Sequence, residues 1–298
     1  MGLQSKKILG IGITISPKTE ILEEIRKYLV SDNKKQITDN KKSKESLIIF
    51  TPNPEIITYA QKDKEFRQIV NSAQINLPDS RGVVWAIKKL YRINIEQIAG
   101  ADFFFDLCYL ANRESFTVGL IGGREGVALD TRECLLRSYP KLKVEVLEAP
   151  AVIVSRIRYQ VSSINDKKIP NTKYLILNTE EKQIEETEKY FQNLAEKIIK
   201  REIDILFVAL GFPKQEYFIR KIKNQISKIK DCKPLVLIAV GGSFDYLSGR
   251  IPRAPEWVRD KGWEWLFRLI KEPGRLPRQL KGAEFFWRVL TRYHPESR

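Results

Sequence analysis

Short apolar runs alternate with longer amphipathic stretches along most of this 298-residue chain. The runs predict strands at residues 8–11, 47–50, 75–77, 116–121, 143–147, 174–177, 204–210 and 235–240. Stretches with helical spacing lie between them, notably at residues 56–70, 83–90, 126–138 and 181–200. Continuous apolar strands separated by helices are typical of a parallel sheet that is covered on both faces. The pattern therefore predicts an α/β fold.

Two segments interrupt this alternation, and a change in composition marks a boundary near Gly249. Residues 31–46 are polar, rich in lysine and of low complexity, which predicts a solvated loop. Residues 149–170 fit neither element well, and we interpret them as an inserted loop with one extra strand. The boundary predicts an α/β domain over residues 1–250 and a basic helical appendage over residues 251–298.

The appendage is rich in tryptophan and in basic residues. It holds four of the five tryptophans, and eleven Lys or Arg against six Asp or Glu. Its pattern predicts two amphipathic helices, at residues 256–271 and 276–293, broken at Pro273 and Gly274. Aromatic and basic side chains on such helices suit an anionic membrane surface, although the same aromatics could pack on the core. The sequence leaves both readings open.

Composition and residue inventory narrow the classes of function. A net charge of +15 and a pI near 9.6 favour polyanionic partners. No apolar run reaches the length of roughly 18–20 residues that spans a bilayer. The single histidine, His294, excludes Ser-His-Asp triads and HExxH zinc sites, and the three scattered cysteines are predicted to be buried thiols. Because no D-x-D motif occurs, we expect arginine or lysine, rather than an aspartate-bound metal ion, to neutralise a diphosphate.

Polar residues follow several predicted strands, where open parallel sheets bind ligands. Thr51 and Asn53 follow the second run, and they suit either a helix cap or a hydrogen bond to a ligand. Asp79 follows the third run and fits a general base, a ribose ligand or an N-cap. The absence of a histidine from the core of the chain favours the base.

Three further strand ends carry groups suited to a nucleotide sugar. Gly122 and Gly123 form a glycine turn before a helix, whose free backbone N–H groups would suit a phosphate. Gln215 and Asp245 follow two later strands and supply amide and carboxylate groups for a sugar or a base. Together these loops outline a nucleotide-sized site.

Seven blocks in order give the chain a resemblance to a known family. They are TPN at 51–53, LPDSRGVVWA at 77–86, IAGAD at 98–102, GLIGG at 119–123, ALGFPKQE at 209–216, VGGSFDYLSGRIPRAP at 240–255 and EWLFRLIKEPGRLPR at 264–278. The set resembles the WecG/TagA/CpsF glycosyltransferases from about residue 8 to residue 280.

The resemblance implies an inverting glycosyltransferase with a Rossmann-like core, which needs neither a metal ion nor a cofactor. Its donor would be a UDP-sugar, which is UDP-N-acetylmannosamine for some members of the family and carries mannosaminuronic acid or a hexose for others, and its acceptor a polyprenyl-diphosphate-linked GlcNAc. The product would enter a cell-surface polysaccharide or teichoic acid. The resemblance also implies a peripheral location on the inner face of a bacterial plasma membrane, and no nucleic acid partner is expected. An appendage that is mobile in solution would allow exchange between monomer and homo-oligomer.

The resemblance also implies roles for individual residues. It gives Asp79 as the base, Thr51 and Asn53 as substrate ligands, Gln215 and Asp245 as donor-site residues, and Arg268, Arg275 and Arg278 as appendage arginines that close on the diphosphate. The chain departs from the pattern at Ser80, where a glycine is usual, and at Gln97, where an arginine is frequent. These departures predict a changed loop shape and a lost positive charge.

Two rival functions explain less of the sequence. A basic nucleic-acid-binding protein would account for the charge and the tail, but not for polar residues at successive strand ends. A nicotinamide-dependent dehydrogenase would need the full G-x-G-x-x-G fingerprint, which this chain lacks.

Overall fold

A computed structural model describes residues 2–30, 45–151, 153, 175–230, 232–250, 252, 254–255, 257–258, 264–271 and 276–291. Its strands are β1 Ser5–Ile8, β2 Ile11–Thr14, β3 Leu47–Phe50, β4 Ile75–Asn76, β5 Thr117–Gly122, β6 Lys143–Leu147, β7 Ile205–Ala209 and β8 Val236–Ala239. Its helices are α1 Lys18–Val30, α2 Pro54–Ala60, α3 Lys64–Asn71, α4 Arg81–Tyr91, α5 Gly100–Glu114, α6 Val127–Ser138, α7 Leu175–Lys200, α8 Lys214–Ile226, α9 Ser243–Leu247, α10 Glu264–Lys271 and α11 Leu276–Thr291.

Six strands form one sheet in the order β4-β3-β8-β7-β5-β6, and every neighbouring pair is parallel. Alternate side chains of each strand point to opposite faces. Ile48 and Phe50 therefore join the core under α2, α3, α4, α7, α8 and α11, whereas Leu47 and Ile49 join the core under α1, α5, α6 and α9. The predicted α/β fold, with a parallel sheet covered on both faces, is confirmed.

The first predicted strand, at residues 8–11, is wrong, because these residues turn the chain. Leu9 and Gly10 both have positive φ angles, 49° and 77°, between the antiparallel strands β1 and β2. Two such residues in succession match a tight hairpin turn. Asn71 of α3 holds the hairpin, since its side chain donates to the Gly10 carbonyl and accepts from the Gly12 N–H.

Two other predicted elements also need correction. The helix predicted at residues 56–70 is two helices, because Asp63 caps α3 by accepting a hydrogen bond from the Phe66 N–H. The strand predicted at residues 174–177 begins a helix instead, since α7 starts at Leu175. A run of four apolar residues is compatible with the start of a helix as well as with a strand. Its periodicity therefore does not distinguish a helix from a strand. The loops predicted at residues 31–46 and 149–170 lie largely outside the described residues.

The last helix packs into the core of the α/β domain. Phe285 is 0% exposed and Val289 2% exposed, and both belong to the core cluster beneath α2 and α4. At the surface, Lys62 donates a hydrogen bond to the Glu284 carboxylate at 2.7 Å. This hydrogen bond and the one from Arg288 lower the pKa of Glu284. The structure describes a helix on either side of residues 272–275, and the predicted break at Pro273 and Gly274 lies outside the described residues.

Replacing Phe285 with alanine tests whether α11 is part of the core. We expect Phe285→Ala to lower the free energy of unfolding by about 3–5 kcal/mol, because it empties a fully buried aromatic site. The matched change Leu290→Ala, on a side chain that is 57% exposed, should cost about 0.5 kcal/mol or less. Urea unfolding of the two variants measures both. Equal costs would show that α11 is not held by the core.

Candidate active site

A cavity of about 750 Å³ lies at the carboxyl edge of the sheet. The loops that follow β3, β4, β7 and β8 all line it, because parallel strands deliver their carboxyl ends to one edge. Its remaining wall comes from α11, through Gly282, Ala283 and Phe286. Of the predicted site residues, Thr51, Asn53, Asp79 and Gln215 meet in this cavity.

The Asp79 carboxylate is held in place by a backbone donor. The Gly100 N–H, at the start of α5, donates to Asp79 Oδ1 at 2.6 Å. This donor and the positive end of the helix dipole both stabilise a negative charge there. A side chain at position 100 would crowd the site, since a Cβ would lie 3.0 Å from Thr51 Cγ2 and 3.3 Å from Asp79 Oδ1. Asp79 therefore presents a fixed carboxylate at the border of the cavity.

The two departures from the family pattern have structural explanations beside Asp79. Ser80 has extended backbone angles, φ −132° and ψ 155°, which need no glycine, and its hydroxyl caps α4 by accepting from the Val83 N–H at 3.4 Å. Gln97 lines the cavity and donates from Nε2 to the Asp79 carbonyl at 2.9 Å. The loop thus keeps its support without a glycine or an arginine at these positions.

Thr51 and Asn53 combine a structural role with a place in the cavity. Asn53 Oδ1 accepts a hydrogen bond from the Ile56 N–H at 3.0 Å and so caps α2. The Thr51 hydroxyl points toward β8, where it donates to the Ala239 carbonyl at 3.5 Å. The cap uses the amide oxygen of Asn53 and leaves its amide nitrogen as a further donor. Asn53 can therefore act both as a helix cap and as a ligand of a substrate.

Gln215 links the loop after β8 to a buried acid. Its Oε1 accepts from the Gly241 N–H at 2.9 Å, and its Nε2 donates to Glu216 Oε1 at 3.0 Å. Glu216 is 1% exposed, and its Oε2 has no hydrogen-bond partner in the described part of the chain. Burial, with a smaller contribution from Glu55, raises the pKa of Glu216 to about 7. Because Glu216 Oε1 accepts from the Gln215 Nε2, it orients the Gln215 amide with its oxygen toward Gly241.

Three predicted residues lie beside the cavity rather than in its lining. The Gly123 N–H donates to the Ala209 carbonyl at 2.7 Å, so it is not the free phosphate donor that the glycine turn predicted. Gly122 instead accommodates a close approach, as a Cβ there would lie 2.7 Å from Ala209 O. Asp245 lies on α9 between two lining residues, Ser243 and Tyr246.

Of the three appendage arginines, Arg268 belongs to helix α10 and Arg278 to helix α11, and Arg275 lies outside the described residues. Sequence reasoning missed Arg81 and Trp85 as lining residues, because the predicted helix began at residue 83, whereas α4 begins at Arg81 and its spacing of four puts both on one face. In the described ranges, no cluster of three or more His, Cys, Asp or Glu side chains is arranged to hold a metal ion. None of the described helices is long and apolar enough to span a bilayer.

The buried acid makes stability depend on pH. Because the folded-state pKa of Glu216 is about 7 and its ordinary value is 4.5, the folded protein holds an extra proton between these values. The free energy of unfolding should therefore fall as the pH rises through this window, by up to about 3 kcal/mol. We expect Glu216→Gln, which cannot titrate, to gain stability relative to wild type between pH 5 and pH 8.

Urea unfolding at these two pH values measures the effect. The control Glu196→Gln makes the same change on an exposed face of α7 and should show no such gain. A Glu216→Gln difference that stayed constant with pH would contradict the raised pKa.

Comparison with known proteins identifies the family of this chain. The model of the glycosyl transferase WecG/TagA/CpsF family matches residues 8–298. An N-acetylglucosaminyldiphosphoundecaprenol N-acetyl-beta-D-mannosaminyltransferase of Bacillus subtilis strain 168 is 27% identical over 288 residues, which cover 97% of this chain and 92% of the relative. A protein of the same name from Bacillus spizizenii strain W23 is 26% identical over 97% of this chain and 91% of its own length. The chain thus belongs to the WecG/TagA/CpsF family of glycosyltransferases.

Proposed function

We propose that this glycosyltransferase moves N-acetylmannosamine from its UDP donor to a GlcNAc-diphospho-polyprenol acceptor, for a cell-surface polymer. The two Bacillus relatives are named for this sugar and this acceptor, and they match nearly the whole chain. The observation that carries the proposal is the Asp79 carboxylate, which Gly100 holds at the border of a cavity in the size range of ligand-binding pockets.

The proposed reaction is a single displacement. Asp79 takes the proton of the acceptor hydroxyl while that oxygen attacks the anomeric carbon of the donor sugar. The bond from this carbon to the diphosphate oxygen breaks, and UDP leaves with the electron pair from the opposite face. One displacement inverts the anomeric centre. No step in this scheme requires a metal ion.

The other predicted residues position the substrates in this scheme. Thr51, Asn53 and Gln215 line the cavity and offer hydroxyl and amide groups to the sugars and the nucleotide. Arg268, Arg275 and Arg278 would neutralise the leaving diphosphate, as the family resemblance implies. Their positions on and beside α10 and α11 suit this role, since α11 forms one wall of the cavity.

The exchange of Asp79 for asparagine tests the proposed base. We expect kcat to fall by about 10²–10⁴, because the amide cannot accept the proton. The amide oxygen can still accept from Gly100, so the unfolding midpoint should stay near that of wild type. UDP release from UDP-N-acetylmannosamine, with a short-chain GlcNAc-diphospho-lipid and EDTA, measures the rate.

Asp102→Asn is the matched control, since Asp102 lies in the first turn of α5 outside the cavity lining. It should keep wild-type turnover. Loss of wild-type activity in EDTA, or a product with retained stereochemistry, would contradict the scheme. Turnover only with another UDP-sugar would keep the reaction and change the donor.

We further propose that the appendage docks on an anionic membrane, where a polyprenyl acceptor would reside. Large apolar side chains are exposed along it, at Trp257, Leu266, Ile270, Trp287 and Leu290. Exposed apolar groups of this kind suit the interface of a bilayer. Arg288, one of the basic residues of the appendage, donates to the Glu284 carboxylate. The proposed contact with the membrane therefore depends more on exposed apolar side chains, and less on basic ones, than the charge pattern of the sequence predicted.

Vesicle binding tests the docking surface. We expect Ile270→Ser, on a side chain that is 70% exposed, to weaken binding to vesicles of phosphatidylglycerol and phosphatidylcholine by about threefold or more. Leu129→Ser, on a residue of α6 that is 56% exposed, should bind like wild type. Cosedimentation measures both variants, and equal binding would contradict docking through the appendage.

A further inference from the structure

Arg81 brings a positive charge to the cavity beside the proposed base. Of the described residues that line the cavity, three carry a formal charge, namely Glu55, Asp79 and Arg81. Two of these are acids, whereas both proposed substrates carry a diphosphate. An anionic diphosphate in this cavity therefore needs a cation, and Arg81 supplies one next to Asp79.

The position of Arg81 is unfavourable for the helix that it begins. Arg81 is the first residue of α4, and the first turn of α4 has no acidic residue. A cation at the positive end of a helix dipole lowers the stability of the helix. Arg81 is also exposed, so its guanidinium is accessible to a ligand in the cavity.

Helix α4, which carries Arg81, contacts helix α11 of the appendage. Trp85 follows Arg81 by one helical turn, and its ring lies 5.2 Å from the ring of Phe286, measured between centroids. Phe286 belongs to α11, whose outward face exposes Trp287 and Leu290. The part of the cavity near Arg81 is thus the part next to the exposed apolar surface. A lipid-linked substrate would approach from this side.

We propose that the Arg81 guanidinium binds the diphosphate of the lipid-linked acceptor. The proposal rests on the proposed function. The planar guanidinium offers five N–H donors in a fork that matches phosphate oxygens. Arg81 and Asp79 flank Ser80, so one short loop holds both the cation and the proton acceptor. Arg81 is then a residue that determines specificity for a diphosphate-linked acceptor.

Steady-state kinetics of Arg81→Gln test the proposal. We expect the KM for a short-chain GlcNAc-diphospho-lipid to rise by about 10- to 100-fold, the loss expected for a charge-assisted hydrogen bond. The KM for the UDP-sugar and kcat should change by about twofold or less. Arg81→Lys should recover part of the loss, because it keeps the charge without the fork. The unfolding midpoint of Arg81→Gln should equal or exceed that of wild type.

Lys89→Gln is the matched control, since it removes the same charge from an exposed position on α4 outside the cavity lining. It should leave both KM values unchanged. An acceptor KM that rises no more in Arg81→Gln than in Lys89→Gln would overturn the proposal. So would a rise confined to the donor KM, which would place the nucleotide diphosphate at Arg81.

A binding measurement separates this proposal from the proposed reaction. Calorimetry with inorganic diphosphate should show binding to wild type and to Lys89→Gln, and a loss of about tenfold or more in Arg81→Gln. If no acceptor is turned over but this loss is seen, the proposed reaction fails and Arg81 remains a diphosphate ligand. Equal binding of inorganic diphosphate by all three proteins would overturn the role of Arg81.

Discussion

The site depends on one constraint, which is that all six strands of the central sheet run in the same direction. Each strand must then be followed by a crossover, and every strand delivers its carboxyl end to the same edge. Four of these ends supply loops that line one cavity. Residues that are distant in the chain, such as Thr51 and Gln215, meet there for this reason.

Backbone donors hold the side chains of the cavity. The Gly100 N–H holds the Asp79 carboxylate, and the Gly241 N–H holds the Gln215 amide. Groups fixed in this way need little reorganisation when a substrate binds, which is how an enzyme lowers the cost of a charged transition state. The buried Glu216 adds a cost in stability above its pKa, and in return it fixes the orientation of Gln215.

The tail helix connects the stability of the fold to the site. Phe285 packs into the core while its neighbour Phe286 lines the cavity, so one turn of α11 serves both. Trp287 and Leu290, which are exposed on the same helix, belong to neither. The sequence left open whether the tail aromatics pack on the core, and the structure shows that Phe285 does.

The sequence by itself determined the α/β class, the approximate place of six strands, and four of the residues that meet in the cavity. It could do so because period-two and period-3.6 apolar patterns are local, and because strand ends are marked by polar and glycine residues. Errors arose where a short pattern had two meanings, as in the turn at Leu9 and Gly10 and the helix start at Leu175.

Only the tertiary structure decided which groups face each other. Trp85, which lies one helical turn after Arg81, contacts Phe286, and this contact joins segments that are far apart in the chain. The burial of Glu216 also depends on the helices and strands that pack around it. The use of the Gly123 N–H by Ala209 likewise depends on the pairing of β5 with β7. Such facts depend on long-range packing and hydrogen bonding, which no local pattern of apolar and polar residues encodes.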